Sequence, residues 1–533
     1  MNQAQQAKKH RCRSAALAAV VTASIGLSPA AVFASTPIAA SHTLHLAFGA
    51  DMQVPDPDIF YEVEGNAVVT SVYEGLVKYA DNSTKIVPCL ATSWTVTDAG
   101  KTYTFYLRHN VHFHDGSLFT AADAVFSFDR RKGVDSAPEY MVADVTSMAT
   151  PTPYTFVVHL SQPVAAFLDY MASPYGPKMV SEKTVVAHES GGHPGDWAQG
   201  WLKTHDAGTG PYEIAAFVPG SHYTLSAYPG YWGIKPYYRT VQINIVPDIS
   251  TQQIELQDGQ LTMVLHGLPI NAVESFQRNP DFTVHTFPTQ LKTMLDVNPY
   301  LGIFRSPEVR QALRRAINKK AIVASVYGEM ATVSTQFYPV GEFPPGMALD
   351  DPKYEPSLFV KALSKVKGSR DVDMVYSTDN PTNQRVAEFI QVELDALGLN
   401  VSVRGVPISQ IFDYASTPPK QLPNLLVWNM NPDDAAPDSW IRIYANTDGS
   451  LNELHGSVPE VDTLMNEGLH STDPKTIMDD YSEAGELAAA SGEWISIADT
   501  KDTVVATKDI AGWYHQPPTA DTVVLGDLYY SAK

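Results

Sequence analysis

The sequence predicts a mixed α/β protein of more than one domain. Its 533 residues are too many for one ordinary hydrophobic core, so two or three domains are expected. In the second half of the chain, a strand pattern at 372–376 precedes an amphipathic helix that ends near Gly398. Further strand patterns follow at 401–403 and 425–428. Strand, helix and strand joined by short links form a βαβ unit, which predicts a partly parallel sheet covered by helices.

The amino-acid composition and net charge disfavour several classes of protein and of binding partner. With 44% hydrophobic and 18% charged residues, the chain is typical neither of disordered proteins nor of membrane-embedded ones. The formal net charge is −21, and no basic patch stands out in the body of the sequence. Nucleic acids and anionic membranes carry negative charge themselves, so we expect neither as a partner.

The N-terminus has the three parts of an export signal. Four cations between residues 8 and 13 precede an apolar run at 15–27 and a small-residue cleavage site at 32–34. This order predicts a secretory signal peptide, 1–34, because the apolar run is shorter than the ~20 residues of a spanning helix. Cys12 lies in the basic region and not after the apolar run, so no lipoprotein lipobox is recognised. We therefore expect an exported protein without a lipid anchor.

Local patterns place the elements of the first half. A strand is expected at Thr43–Phe48, followed by a turn-rich loop at 49–58 and a helix at 68–77. Thr120 with Asp123 has the spacing of a capping box, which predicts a helix start at Ala121. Further strands are expected at 102–107, 212–217, 222–227 and 241–246.

A helix pair is predicted after residue 305. Ser306 and Pro307 form a helix start, a hydroxyl cap followed by the residue whose fixed φ suits the first turn. Apolar residues recur at helical spacing up to Ile317, and Asn318 interrupts the run before a second short helix.

Several blocks of sequence resemble one protein family in order and spacing. They are PCLATSWTVTDAGKTYTFYLRHNVHFHDGSLFTAADAVFSFDRR at 88–131, GTGPY at 208–212, GYWG at 230–233 and SPEVRQALRRAINKKAI at 306–322. Together they resemble the dipeptide- and oligopeptide-binding proteins of ABC importers, extracellular solute-binding protein family 5. Because the match does not depend on one short motif, an accidental likeness is disfavoured.

The resemblance implies a specific architecture. It is a bilobal periplasmic-binding-protein fold of type II, cluster C-like, with two lobes joined by a two-strand hinge and an extra subdomain in the first lobe. The expected boundaries are 35–287 for lobe I with its extra subdomain, 288–490 for lobe II, and 491–533 for the return to lobe I. Lobes joined in this way can hinge and bury a ligand in the cleft between them.

The candidate ligand site follows the strand 425–428, because ligands of open α/β sheets gather at the carboxyl ends of strands. The family has an acidic loop here, shortly before a Pro-Asp, in which one aspartate receives the α-ammonium group of the peptide. The resemblance leaves the choice between Asp433 and Asp434 open. Arg385 matches a family position near which a dipeptide carboxylate is held, a task that suits a guanidinium group. Further candidates, by position alone, are Trp428, Asn429, Gly49, Ala50 and Asp51.

Two other groupings have simpler structural interpretations. His112, His114 and Asp115 could be read as metal ligands, but the resemblance implies that this turn is scaffold. His188 and His193 lack the HExxH spacing of a zinc protease. After removal of the signal peptide only Cys89 remains, and it is expected to be a small buried side chain. No catalytic residue, cofactor or metal is expected.

The expected function is therefore binding rather than catalysis. The resemblance implies a periplasmic receptor, likewise expected to act as a monomer, that captures small peptides and delivers them to an inner-membrane ABC permease with its ATPase subunits. An alternative keeps the fold and changes the solute to a nickel chelate, haem, glutathione, an opine or an oligosaccharide, since fold does not fix ligand. A more remote alternative is a secreted hydrolase that uses the Asp433 and Asp434 region with a histidine.

Overall fold

The computed structural model describes residues 41–342, 352–378, 380–515, 517 and 523–531, which belong to a single compact unit. The predicted signal peptide, 1–34, lies outside the described residues. Within the described ranges, no helix combines the length and apolarity that crossing a bilayer would require.

Nineteen strands are described. They are β1 (Thr43–Phe48), β2 (Val77–Tyr79), β3 (Ile86–Pro88), β4 (Ala91–Thr97), β5 (Thr102–Leu107), β6 (Val145–Thr152), β7 (Thr155–Leu160), β8 (Tyr212–Val218), β9 (His222–Ala227), β10 (Thr240–Ile245), β11 (Met263–Val264), β12 (Phe282–Val297), β13 (Ala331–Val333), β14 (Asp371–Ser377), β15 (Asn400–Val406), β16 (Leu425–Met430), β17 (Trp494–Thr507), β18 (Ile510–Ala511) and β19 (Tyr529–Tyr530).

The α-helices of the described residues fall between and after these strands. They are α1 (Asn66–Val72), α2 (Ala121–Val134), α3 (Phe167–Ala172), α4 (Glu182–His188), α5 (Gln199–Leu202), α6 (Ile249–Gln257), α7 (Ile270–Gln277), α8 (Pro307–Leu313), α9 (Lys319–Ile322), α10 (Pro356–Leu363), α11 (Pro381–Ala396), α12 (Ile408–Phe412), α13 (Pro437–Tyr444), α14 (Pro459–His470) and α15 (Pro474–Ser491).

One part of the protein, which we call the first lobe, is built on two four-stranded sheets that share one hydrophobic core. Their strand orders are β1-β10-β9-β8 and β4-β5-β7-β6. The core draws mainly on residues between 44 and 265, such as Leu46, Phe105 and Tyr212, and Leu525 near the C-terminus joins it. The chain therefore returns to the first lobe after leaving it.

The other part, the second lobe, is built on a seven-stranded sheet. Its order is β11-β17-β12-β16-β14-β15, with β13 paired to β17. Strands β14, β15 and β16 run parallel, with Met374 opposite both Val403 and Leu425. The second lobe's two main cores draw on residues between 294 and 498. The parallel strands joined through α11 confirm the predicted βαβ unit, and the near-continuous apolar sequence of β16 suits its burial on both faces in the centre of the sheet.

Two long strands pass from one lobe to the other. β12 and β17 pair antiparallel along most of their length. Phe287 on β12 packs against the core of the first lobe, and Met294 lies in a core of the second. A register shift falls between Pro288 and Lys292, at the crossing. The fold is therefore bilobal, with a two-strand hinge.

Local start signals were predicted with mixed success. The capping box is confirmed, since the Ala122 N–H donates to Thr120 Oγ1 and the Thr120 N–H donates to Asp123 Oδ2. Pro307 opens α8, but the Ser306 side chain makes no capping hydrogen bond.

The predicted helix at 68–77 is wrong in its second half. α1 ends at Val72, where Tyr73 becomes extended, because Val77 already pairs with Pro88 in the hairpin β2-β3.

Candidate functional site

The acidic loop follows the central strand of the second lobe. β16 lies between β12 and β14, and the chain leaves its carboxyl end through residues 431–436 into α13. The Ser439 hydroxyl of α13 accepts hydrogen bonds from the backbone N–H groups of Asp433 (2.7 Å) and Asp434 (3.2 Å). The loop is therefore fixed from its own side by the helix that it begins, and both aspartates are buried.

Asp433 is held from the other side by the first lobe. Tyr61 and Tyr140 donate their hydroxyls to Asp433 Oδ2, at 2.5 and 2.8 Å. Ser173 Oγ donates to the backbone carbonyl of the same residue at 2.5 Å. Burial raises the pKa of Asp433 to about 6, against the opposing effect of the two tyrosine hydrogen bonds. Asp433 therefore joins the two lobes through its carboxylate oxygen Oδ2 and its backbone carbonyl.

Asp434 is the more buried of the two, with none of its surface exposed. Its Oδ1 accepts a hydrogen bond from the Ala436 N–H at 2.8 Å, and its Oδ2 has no hydrogen-bond partner in the described part of the chain. Burial raises the pKa of Asp434 well above its ordinary value, and the negative charges of Asp169 and Asp433 raise it further. A buried carboxylate oxygen without a donor is costly, so the site is suited to a group that brings positive charge and N–H donors.

Further hydroxyls of the first lobe hold the rest of the loop. The Tyr79 hydroxyl accepts from the Ala435 N–H (2.9 Å) and donates to Asp169 Oδ1 (3.0 Å). Tyr170 donates to Asp438 Oδ2 at 2.6 Å. The acidic loop of the second lobe is thus buried against a surface of the first lobe that is rich in tyrosine.

The other sequence-predicted residues lie in different settings. Trp428 is buried in the second lobe and donates from Nε1 to Asp296 Oδ2 at 2.8 Å. Asn429 Oδ1 accepts from Thr293 Oγ1 at 2.9 Å. Both residues therefore have partners inside the second lobe. Arg385 is exposed on α11, whose N-terminus follows the carboxyl end of β14 at the same sheet edge as the acidic loop.

The loop that contains Gly49, Ala50 and Asp51 is anchored in the first lobe. The N–H groups of Gly49 and Ala50 donate to Glu64 Oε1, and Tyr223 donates its hydroxyl to Asp51. The structure thus brings Asp433 and Asp434 together at the contact between lobes. Within the described residues, the hydrogen-bonding groups of the loop at 49–51 are directed to other partners, and Arg385 is exposed. Neither the loop nor Arg385 forms a hydrogen bond with the two aspartates in the described part of the chain.

The histidine grouping has a structural role. His114 Nδ1 bonds to Asp206, and its Nε2 lies 3.0 Å from the Gly210 carbonyl oxygen. Both ring nitrogens are therefore engaged by the protein. Among the described residues, no group of three or more histidine, cysteine, aspartate or glutamate residues is arranged to hold a metal ion.

The residues that sequence reasoning missed are the hydroxyl-bearing residues of the first lobe that contact the acidic loop and α13. Tyr61, Tyr79, Tyr140, Tyr170 and Ser173 are scattered over more than 100 positions, in a chain that contains 26 tyrosines. No local pattern distinguishes these four tyrosines from the other tyrosines. Only the closure of one lobe on the other brings them to the acidic loop.

Comparison with known proteins agrees with the bilobal fold. Residues 85–452 match the model of the bacterial extracellular solute-binding proteins, family 5 Middle. The chain is 25% identical over 529 residues to the glutathione-binding protein GsiB of Salmonella choleraesuis, which covers 95% of this chain and 98% of that protein.

Two solved structures are similar in fold. The periplasmic binding protein DppA of Helicobacter pylori, in complex with the peptide STSA, has a TM-score of 0.81 at 21% identity and covers 93% of this chain and 99% of its own. NikZ of Campylobacter jejuni, in complex with Ni(L-His), has a TM-score of 0.80 at 20% identity and covers 92% and 99%. With a family match over more than half of its length, the chain belongs to the bacterial extracellular solute-binding proteins of family 5.

Proposed function

We propose that this protein is the substrate-binding receptor of an ABC importer that captures small peptides between its two lobes. The observation that carries the proposal is the acidic loop buried between the lobes, where Asp434 Oδ2 has no donor among the described residues and the Asp433 carboxylate lies beside it in sequence. An ammonium group supplies three N–H donors and one positive charge, and so satisfies such an oxygen. The α-ammonium group of a peptide is such a group.

The family context supports the same role. The similar proteins named above are described as binding glutathione, the peptide STSA and a nickel–histidine complex. We propose that the ligand is delivered to an inner-membrane permease driven by ATPase subunits, and that the receptor acts as a monomer in the periplasm after cleavage of its signal peptide. Its function would be binding, without catalysis. The lobe boundaries 35–287, 288–490 and 491–533 form part of this proposal.

A thermal-shift screen tests the proposed ligand class. The purified mature protein would be scanned with di- to pentapeptides, glutathione and nickel–histidine. Because a ligand that binds only the folded state adds about 2.7 kcal/mol at 100 times its Kd, peptide binding raises the midpoint of unfolding. We expect short peptides with a free amino terminus to give the largest increases. Stabilisation by nickel–histidine alone would contradict the proposal.

Peptide affinity should depend on pH. A cation binds the ionised carboxylate, and the pKa of Asp433 is raised to about 6 by burial. Because about half of the peptide's α-amine is uncharged at pH 8, affinity measured by calorimetry is expected to fall roughly fivefold between pH 8 and pH 5. Substitution of Asp433 by asparagine should flatten this dependence.

The stability of the ligand-free protein should change in the opposite direction. Because the folded-state pKa of Asp433 lies above the ordinary value of 3.8, protonation favours the folded state. This contribution is fully present below the unfolded pKa and is lost as the pH rises through about 6.

A peptide affinity that is the same at pH 5 and pH 8 would contradict the assignment of Asp433 as a carboxylate that binds the ligand cation.

The tyrosine hydroxyls of the first lobe should contribute to affinity through closure. Tyr61→Phe and Tyr140→Phe each remove a hydrogen bond to Asp433 that joins the lobes. A hydrogen bond to a charged group contributes about 1.5–3 kcal/mol, so each change is expected to weaken peptide binding roughly 10- to 100-fold. Tyr106→Phe, an exposed site on β5, is the matched control. If the variant that carries both Tyr61→Phe and Tyr140→Phe bound the peptide within about threefold of wild type by calorimetry, these hydroxyls would have no role in closure.

A further inference from the structure

A second buried carboxylate, Glu342, lies in the same part of the second lobe as the acidic loop and forms no hydrogen bond within the described residues. Glu342 is 4% exposed, and neither of its carboxylate oxygens has a hydrogen-bond partner in the described part of the chain. Phe337, five residues before Glu342, places its ring centroid 6.2 Å from that of Trp440 on α13, the helix that follows the acidic loop. Burial raises the pKa of Glu342 and the charge of Asp434 raises it further, while the charge of Lys292 lowers it.

The nearby cation, Lys292, interacts with the charge of Glu342 but directs its hydrogen bonds to other groups. Its ammonium group lies 2.5 Å from Asp499 Oδ1. It also donates to Ser334 Oγ and to the Gln336 carbonyl oxygen. An ammonium group has three N–H donors, and all three are directed to these partners. Glu342 is left without a donor from Lys292.

The neighbouring hydroxyls are also directed elsewhere. The charge of Glu342 acts on the tyrosines Tyr338 and Tyr444. Tyr338 donates to the Tyr481 carbonyl oxygen and Tyr444 donates to the Asn431 carbonyl oxygen, both at 2.8 Å. Among the described residues, these two hydroxyls therefore donate to groups other than the Glu342 carboxylate.

An uncharged side chain on β12 gives an independent indication of a ligand. Gln290 is 1% exposed, and neither its amide oxygen nor its amide nitrogen has a partner within the described residues. It lies two residues before Lys292, which pairs with Met430 in antiparallel register. Because β12 and β16 are antiparallel, the step back along β12 from Lys292 to Gln290 corresponds to a step forward along the other strand from Met430 towards Asp433. A buried amide without partners beside the acidic loop indicates a polar ligand there.

We propose that the site selects peptides whose first residue is basic, with the α-ammonium group at Asp433 and Asp434 and the side-chain cation at Glu342. This inference rests on the proposed peptide-binding function. A single ammonium group leaves Glu342 buried and unpaired, which is costly. A lysine or arginine side chain brings a second positive charge and the donors that both oxygens of Glu342 lack.

Calorimetry with two matched tripeptides tests this preference. Lys-Ala-Ala and norleucine-Ala-Ala have first side chains of similar size, and only lysine is charged. The wild-type protein is expected to bind the lysine peptide about 30-fold or more tightly than the norleucine peptide. Glu342→Gln should reduce this preference to within about threefold and leave the norleucine peptide bound. Glu355→Gln, at an exposed site of the second lobe, should keep the wild-type preference.

The outcomes separate the two proposals. If wild type binds both peptides with equal affinity, the basic-residue preference is wrong and the peptide-binding function stands. A preference that survives unchanged in Glu342→Gln also overturns the role of Glu342. If wild type binds neither these peptides nor any in the thermal-shift screen, the proposed function fails and this inference fails with it. If Glu342→Gln does not fold, the affinities of the wild-type protein for the lysine and norleucine peptides alone decide whether the basic-residue preference exists.

Discussion

Replacing Asp433 or Asp434 by asparagine is expected to weaken the binding of a small peptide by ~30-fold to several-thousand-fold. Removing one member of a buried charge pair costs about 2–5 kcal/mol, because the remaining charge stays buried without its partner. Asparagine keeps the shape of the side chain and an oxygen at Oδ1, which in Asp434 accepts the Ala436 N–H. For Asp434 the loss should therefore report the charge and not the conformation of the loop, whereas Asp433→Asn also alters the acceptor of the Tyr61 and Tyr140 hydroxyls. Isothermal titration calorimetry with a peptide found in the screen measures it.

The control for this comparison is an aspartate outside the site. Asp448 is exposed in the same lobe, and Asp448→Asn is expected to leave the affinity unchanged. If Asp433→Asn and Asp434→Asn both remained within about threefold of wild type, the ammonium site would not be at this loop.

The second large effect concerns the stability of the first lobe. Arg130 and its two carboxylate partners, Asp56 and Asp58, are almost completely buried. The guanidinium contacts both oxygens of Asp56, at 2.8 and 2.6 Å, and Asp58 Oδ2 at 2.5 Å. Arg130→Met would leave Asp56 buried without this cation, and such a loss costs about 3–5 kcal/mol. At about 2–4 °C per kcal/mol for a lobe of this size, the midpoint of thermal unfolding should fall by roughly 6–20 °C.

Two further variants make this result specific. Arg130→Lys restores the charge without the planar fork, so it should recover part of the loss. Arg278→Met removes an arginine whose side chain is 72% exposed and whose pairing with Glu274 is loose, at 3.8 Å. This surface change should move the midpoint of unfolding little. If differential scanning calorimetry placed Arg130→Met within about 2 °C of wild type, the buried network would not support the lobe.

Short-range signals explain what the sequence could predict. The βαβ unit β14-α11-β15 follows from apolar periodicity, and the capping box at Thr120 follows from hydroxyl and carboxylate chemistry three residues apart. The acidic loop was predicted at the carboxyl end of β16 because a strand pattern and a run of polar residues are adjacent in the chain. Each of these features depends on residues that are neighbours in sequence.

Long-range contacts explain what could not be predicted. Tyr61 and Tyr140 reach Asp433 across separations of 372 and 293 residues. Glu342 has no motif around it, and only its burial beside other carboxylates makes it unusual. The helix predicted at 68–77 ended early because Val77 pairs with Pro88, a contact that competes with helix formation. The way in which one lobe closes on the other determines which side chains contact the acidic loop.

The central claim is that the acidic loop between the lobes binds the α-ammonium group of a peptide. Calorimetric titration with one peptide, once with a free amino terminus and once with that amine acetylated, tests this most directly. Acetylation removes the positive charge and leaves the rest of the peptide intact. We expect the acetylated peptide to bind at least about 30-fold more weakly. Equal affinities for the two forms would contradict the assignment of Asp433 and Asp434 as the ammonium site.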